Sequence, residues 1–183
     1  MATVQSYYKA KRATNLTNPT SATTFLQADN ALKSAYVKLA VDSGATSARF
    51  FVSVRGRATT GTTSNFLATL QYNKNVNDVS TTTGSATSAN NTTVFALTNR
   101  SYATITRPWS IDCTLIWDST SQRLTGQSNG FNAETIETAN ASITALTAID
   151  LTTATCGLMV SCIFGSTNAS NVATIDDFFC EVY

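Results

Sequence analysis

The sequence predicts an all-β protein, an antiparallel jelly-roll or Greek-key β-sandwich with an extended N-terminal arm. Three observations predict it. Short apolar runs alternate with period two along most of the chain, the pattern of half-buried strands. The polar positions hold Thr, Ser and Asn, with only 13% of residues charged, and Thr favours strands. Connections are uneven, long around 57–65, 73–92 and 127–142, which favours a sandwich with crossed connections over an up-and-down barrel. With 183 residues, 43% of them hydrophobic, the chain is long enough for one core of ordinary size.

Residues 1–33 differ from the rest. Tyr7-Tyr8-Lys9-Ala10-Lys11-Arg12 is basic and aromatic, 15–24 with Pro19 reads as loop, and 25–32 is too short for an independent helix. This composition fits a partner-docking arm over 1–33, touching its partner through Tyr7, Tyr8, Lys9, Lys11 and Arg12, ahead of one sandwich domain over 34–183.

Ala35, Val37, Leu39 and Val41 alternate with polar or small residues before the turn chemistry of Asp42-Ser43-Gly44. Phe50, Val52 and Val54 oppose Phe51, Ser53 and Arg55, and Gly56 is expected to close that strand. Its flanking Arg49, Arg55 and Arg57 suit a solvated edge that resists wrong pairing. Phe66, Ala68, Leu70 and Tyr72 share a face, 80–91 is a long polar surface loop, and 94–97 and 102–106 are short strands split around Asn99. The clearest strand carries Trp109, Ile111, Cys113, Leu115 and Trp117 inward, with Ser110, Asp112 and Thr114 outward. Asp118-Ser119-Thr120-Ser121 then reverses the chain into 123–126. Over 143–151, helix and loop-plus-strand compete. Leu158 to Phe164 and Phe178 to Val182 complete the inward set, which ties the last strand into a sheet.

Catalytic arrangements built on histidine are excluded, because the chain has none. Neither GxGxxG nor GxxxxGK[ST] occurs. Asp112, Asp118, Glu134, Glu137, Asp176 and Asp177 are the acids available to a carboxylate pair, and their settings read as solvated acids and turn formers. No enzymatic activity and no cofactor are expected. Cys113, Cys156, Cys162 and Cys180 form no CxxC pair, so they read as reduced core residues of a protein made in a cytoplasm. Calcium would have Asp176, Asp177, Asn168 and Asn171 for ligands but no DxDxDG loop. The parity of Trp109 and Trp117 favours core packing over sugar stacking. The N-terminus lacks an apolar signal region, and no apolar run reaches about 18 residues, so neither export nor a membrane is expected. The net charge of +1 divides into +8 over 1–107 and −7 over 108–183, halves that a sandwich would interleave. So short a basic patch predicts no nucleic-acid partner, and the Asn-x-Ser/Thr triplets at Asn15 and Asn168 are expected by chance in so Thr- and Ser-rich a chain.

Arg107-Pro108-Trp109-Ser110-Ile111, the run from Leu115 to Gly126 and the run from Ala173 to Tyr183 resemble virion proteins of tailed bacteriophages, most of all jelly-roll capsid decoration (cement) proteins. The resemblance implies a homo-oligomer, a trimer by preference, made in the host cytoplasm and seated on the capsid surface, where it binds and stabilises the major capsid protein. It carries over no functional residue. The alternative role is a receptor- or carbohydrate-binding jelly roll of a tail fibre or spike.

Overall fold

Alternation decides the architecture: each strand turns one row of side chains inward, and two such sheets cover one another. A computed structural model describes residues 6–9, 16–17, 23–24, 36–38, 41, 44–75, 91–132, 135–136, 141–153 and 155–183. In chain order the strands are β1 (Ser6–Lys9), β2 (Leu16–Thr17), β3 (Thr23–Thr24), β4 (Tyr36–Lys38), β5 (Ser47–Thr59), β6 (Ser64–Asn73) and β7 (Asn91–Ala96). There follow β8 (Arg100–Tyr102), β9 (Thr106–Asp118), β10 (Arg123–Asn132), β11 (Thr135–Ile136), β12 (Ala141–Leu146), β13 (Gly157–Phe164) and β14 (Val172–Val182). No helix occurs among the described residues, and none is long and apolar enough to cross a membrane.

The larger sheet runs β1-β14-β5-β9-β10-β11, with β12 also on β10 and β2 on β14. The smaller runs β3-β13-β6-β7, with β4 also on β13 and β8 on β6. Every pairing is antiparallel. The chain changes sheet between β2 and β3, β4 and β5, β5 and β6, β8 and β9, β12 and β13, and β13 and β14. The protein is therefore an all-β antiparallel two-sheet sandwich.

Between the sheets lie Phe50, Val52 and Val54 of β5, Ile111, Leu115 and Trp117 of β9, Leu70 and Tyr72 of β6, and Val160 and Phe164 of β13, all buried. Trp117 is 1% exposed and its indole N–H donates to the Ile149 carbonyl at 2.9 Å, which supplies the one partner a buried indole needs. Phe66 gathers Tyr102, Trp109 and Phe164 at ring-centroid distances of 5.5, 6.0 and 5.2 Å. All four cysteines are free and buried. Burial pushes the Cys113 and Cys180 thiols up to about 12, with Asp112 and Glu181 adding to the respective shifts.

Four expectations are corrected. β5 continues through Gly56 to Thr59 and lies inside the sheet between β14 and β9, so its arginines rise from a sheet face and do not guard an edge. Gly56 is tolerated there because no side chain fits: a Cβ would lie 2.1 Å from the Thr174 carbonyl oxygen and 2.5 Å from the Trp109 ring. Residues 127–132, expected as loop, extend β10, whose inward positions are Ser128, Gly130 and Asn132 rather than apolar residues. The 143–151 ambiguity resolves into β12 followed by coil, with Ala148 at φ 58. The 102–106 strand is two pieces, β8 ending at Tyr102 and β9 starting at Thr106. The loop over 80–91 lies outside the described residues except for Asn91, which opens β7.

Candidate functional site

The outer face of the larger sheet is set out in rows by its register. Thr174, Arg57 and Pro108 form one row, Asp177, Arg55, Ser110 and Phe131 the next, and Phe179, Ser53, Asp112 and Asn129 the one after. Successive rows are two residues apart, about 6.8 Å along the strands. A groove of about 330 Å³ opens over the first two rows, lined by Arg55, Arg57, Pro108, Ser110, Phe131 and Asp176.

Three local departures from a regular ladder shape this groove. Between Ile175 and Asp177 the pairing of β14 with β5 shifts by one residue, leaving Asp176 as the extra residue of a bulge, a device that re-aims a side chain. Its carboxylate takes the Arg57 guanidinium as a fork, Nε to Oδ2 at 2.9 Å and Nη2 to Oδ1 at 2.8 Å. The hydrogen bond and charge of Asp176 raise Arg57 above its already high ordinary value. Next, the pairing of β10 with β9 stops at Trp109, so among the described residues Pro108 has a strand partner on one side only, where a residue without N–H is accommodated. Finally Gly56, between Arg55 and Arg57, lets the Trp109 ring lie against the strand from the inner side.

Phe131 is half-buried and Pro108 exposed, so the groove pairs apolar walls with a fixed fork of donors and acceptors. Such surfaces suit a flat, hydroxyl-bearing ligand: its C–H face meets Phe131 while its hydroxyls meet the fork and Ser110. A second hollow of about 220 Å³ lies where the β5–β6 and β13–β14 connections meet, lined by Thr63, Ser64, Asn65, Ser101, Gly165 and Ser166. It has no apolar wall, and Ser64 spends its hydroxyl on the Ser166 N–H and the Asn65 carbonyl.

The expected contact residues are distributed otherwise. Tyr7, Tyr8 and Lys9 lie in β1, paired with Glu181, Cys180 and Phe179 of β14, while Lys11 and Arg12 fall outside the described residues. Glu134 and Glu137 also fall outside them. Asp118 is engaged in its turn, accepting from the Thr120 and Ser121 N–H groups and the Ser121 hydroxyl. The acids and amides weighed for calcium do not converge: Asn171 bonds Gly61 and Ser166, Asn168 bonds Ser170, and Asp176 bonds Arg57. Trp109 and Trp117 are both 1% exposed and belong to the core. Phe131 was missed because 127–132 carries no apolar alternation; the Arg55-Gly56-Arg57 run was the one visible signal.

No protein-family model matches the chain, and no curated protein matches it. Among solved structures it is similar to arcelin-5, a lectin-like defense protein from Phaseolus vulgaris, at 9% identity and a TM-score of 0.42, over 98% of each chain. Lectin I-B4 from Griffonia simplicifolia gives 11% and 0.40, over 98% of this chain and 93% of that one. The winged bean acidic lectin complexed with methyl-α-D-galactose gives 10% and 0.39, over 98% of each chain. No residue of the groove is read from them.

Proposed function

We propose that this chain is a non-catalytic carbohydrate-binding sandwich, the receptor-binding element of a phage tail fibre or spike, and that the outer-face groove is where it holds sugar. The observation that carries this reading is the groove itself, in which the Arg57–Asp176 fork stands beside the apolar walls of Phe131 and Pro108. Concavity of this size supports recognition of a small unit, whereas decoration of a capsid shell calls for a broad flat contact. The phage setting rests on the resemblance of the C-terminal half. Absence of histidine from the whole chain and the engagement of Asp176 by Arg57 support binding without bond chemistry.

A printed array of bacterial surface-polysaccharide fragments, from monosaccharides to hexasaccharides, tests this. Wild type is expected to bind a subset, and Phe131→Ala and Asp176→Ala each to weaken that binding at least tenfold. No bound fragment, or binding indifferent to both substitutions, refutes the groove. Binding to assembled phage shells without any dependence on sugar would favour capsid decoration instead.

A further inference from the structure

The charged side chains lining the groove are Arg55, Arg57 and Asp176, and two of them spend their charge on one another. Arg57 and Asp176 form the fork at 2.9 and 2.8 Å, which leaves the groove with the positive charge of Arg55. Arg55 is exposed and, among the described residues, makes no hydrogen bond and no ion pair. Asp177 is its register neighbour on β14, yet it neither lines the groove nor bonds Arg55. Ser110 lies directly opposite Arg55 on β9, and Phe131 directly opposite Ser110 on β10. Arg55 and Phe131 are therefore rooted two strand spacings apart, about 10 Å, in one outward row. Low-dielectric walls focus the field of an unspent charge on whatever enters a cleft.

We propose that Arg55 seats the carboxylate of an acidic sugar, so that the groove selects polysaccharides bearing sugar acids over neutral ones. The proposal rests on the carbohydrate reading of the groove and names the ligand class more closely. With the C–H face of a pyranose on Phe131, an exocyclic carboxylate lies over Ser110 toward Arg55, and ring, carboxylate and the long arginine side chain together span the row. The planar guanidinium meets a carboxylate through two parallel N–H···O bonds, which are stronger than bonds between neutral groups. Arg57 does not take this role, because its Nε and Nη2 already serve Asp176. The Asp176 carboxylate, which also lines the groove, repels further negative charge, so a singly charged carboxylate fits better than a phosphate monoester.

The test is calorimetric titration of the full chain with uronate-bearing oligosaccharides and with the same oligosaccharides after carboxyl reduction, which turns each carboxylate into a primary alcohol. Wild type is expected to bind the acidic form about tenfold tighter or more. Arg55→Gln should bring the acidic form down to the affinity of the reduced one and leave the reduced form unchanged, with the urea midpoint of the protein unmoved. Arg55→Lys, which keeps the charge but not the fork, should restore only part of the preference. Equal affinity of wild type for the two forms overturns the role of Arg55 while leaving the groove reading in place. An acid preference that survives R55Q overturns it too, since the carboxylate would then be held elsewhere. Binding confined to phosphate-bearing fragments and lost in R55Q overturns the carboxylate assignment. Absence of binding by every fragment, neutral or acidic, overturns both readings together.

Discussion

Replacing Asn132 by Ala is expected to destabilise the sandwich by about 3–5 kcal/mol, although the position reads from sequence as a loop residue. Asn132 is fully buried on the inward face of β10. Its Oδ1 accepts from the Tyr102 hydroxyl, and its Nδ2 donates to the carbonyls of Phe66 at 3.3 Å and Thr98 at 2.9 Å. One side chain thus ties the larger sheet to β6, β8 and the connection after β7. Three hydrogen bonds at a net of about 1 kcal/mol each set the lower figure, and groups left unsatisfied raise it. With a urea m-value of about 2 kcal/mol/M, the midpoint falls by about 1.5–2.5 M. Tyr102→Phe provides the internal control: alone it removes the bond to Asn132, about 1 kcal/mol, and with Asn132 already Ala that bond is gone before the hydroxyl is, so the pair is non-additive by about that amount. A loss below about 1 kcal/mol for N132A, or strict additivity with Y102F, refutes the clamp.

Gly56→Ala is expected to destabilise by about 1–3 kcal/mol in denaturant titration, since its Cβ meets backbone on one side and the Trp109 ring on the other. Trp117→Ala removes a buried ring and its bond to Ile149, and a loss of about 3–5 kcal/mol is expected by the same titration. The Cys113 and Cys180 thiols are expected to resist a disulfide reagent at pH 8 in the folded protein, because a thiol held up at about 12 is thiolate in only about one molecule in ten thousand; all four cysteines are buried, and unfolding should release them together. Asp118 and Asp150 are held below the usual carboxylate range, first by hydrogen bonds from the Ser121 and Thr152 side chains. The stability they contribute is therefore complete above about pH 4 and is lost as pH falls through their folded values. Midpoints measured from pH 2 to 6 should fall less steeply in D118N/D150N than in wild type.

Where apolar residues recur with period two, the strands were legible: 50–54, 66–72, 109–117, 158–164 and 178–182 all turn the expected side chains inward, although in 158–164 Met159 and Ser161 on the other face are buried as well. Legibility fails where pairing, not hydrophobicity, makes the strand. Residues 127–132 carry Gly130 and Asn132 at inward positions and are held by their ladder to β9 and by the bonds of Asn132. The interior place of β5 was equally hidden, because a strand bearing three outward arginines reads like an edge. The interleaving of the charge halves was expected from the fold class and is seen in the larger sheet, where β5 of the first half lies between β14 and β9. The groove was out of reach of sequence because Arg57, Ser110, Phe131 and Asp176 come from four strands whose register is a property of the assembled sheet.

The placement of irregularities argues that this end of the sheet is shaped for a ligand rather than merely tolerated. Glycine weakens a strand, proline is held to positions unpaired on one side, and a bulge leaves one residue unpaired. Here Gly56, Pro108 and the Asp176 bulge fall within two neighbouring rows: Gly56 pairs with Trp109 and Ile175, Pro108 pairs with Arg57, and Asp176 lies between the partners of Arg55 and Gly56. From Phe50 to Val54 and from Ile111 to Trp117 the same two strands run without glycine, proline or bulge. Local sequence preference and global fold disagree chiefly where function requires it. Irregularity scattered along β5 and β9 would speak for drift; its concentration around one groove supports the proposed binding site.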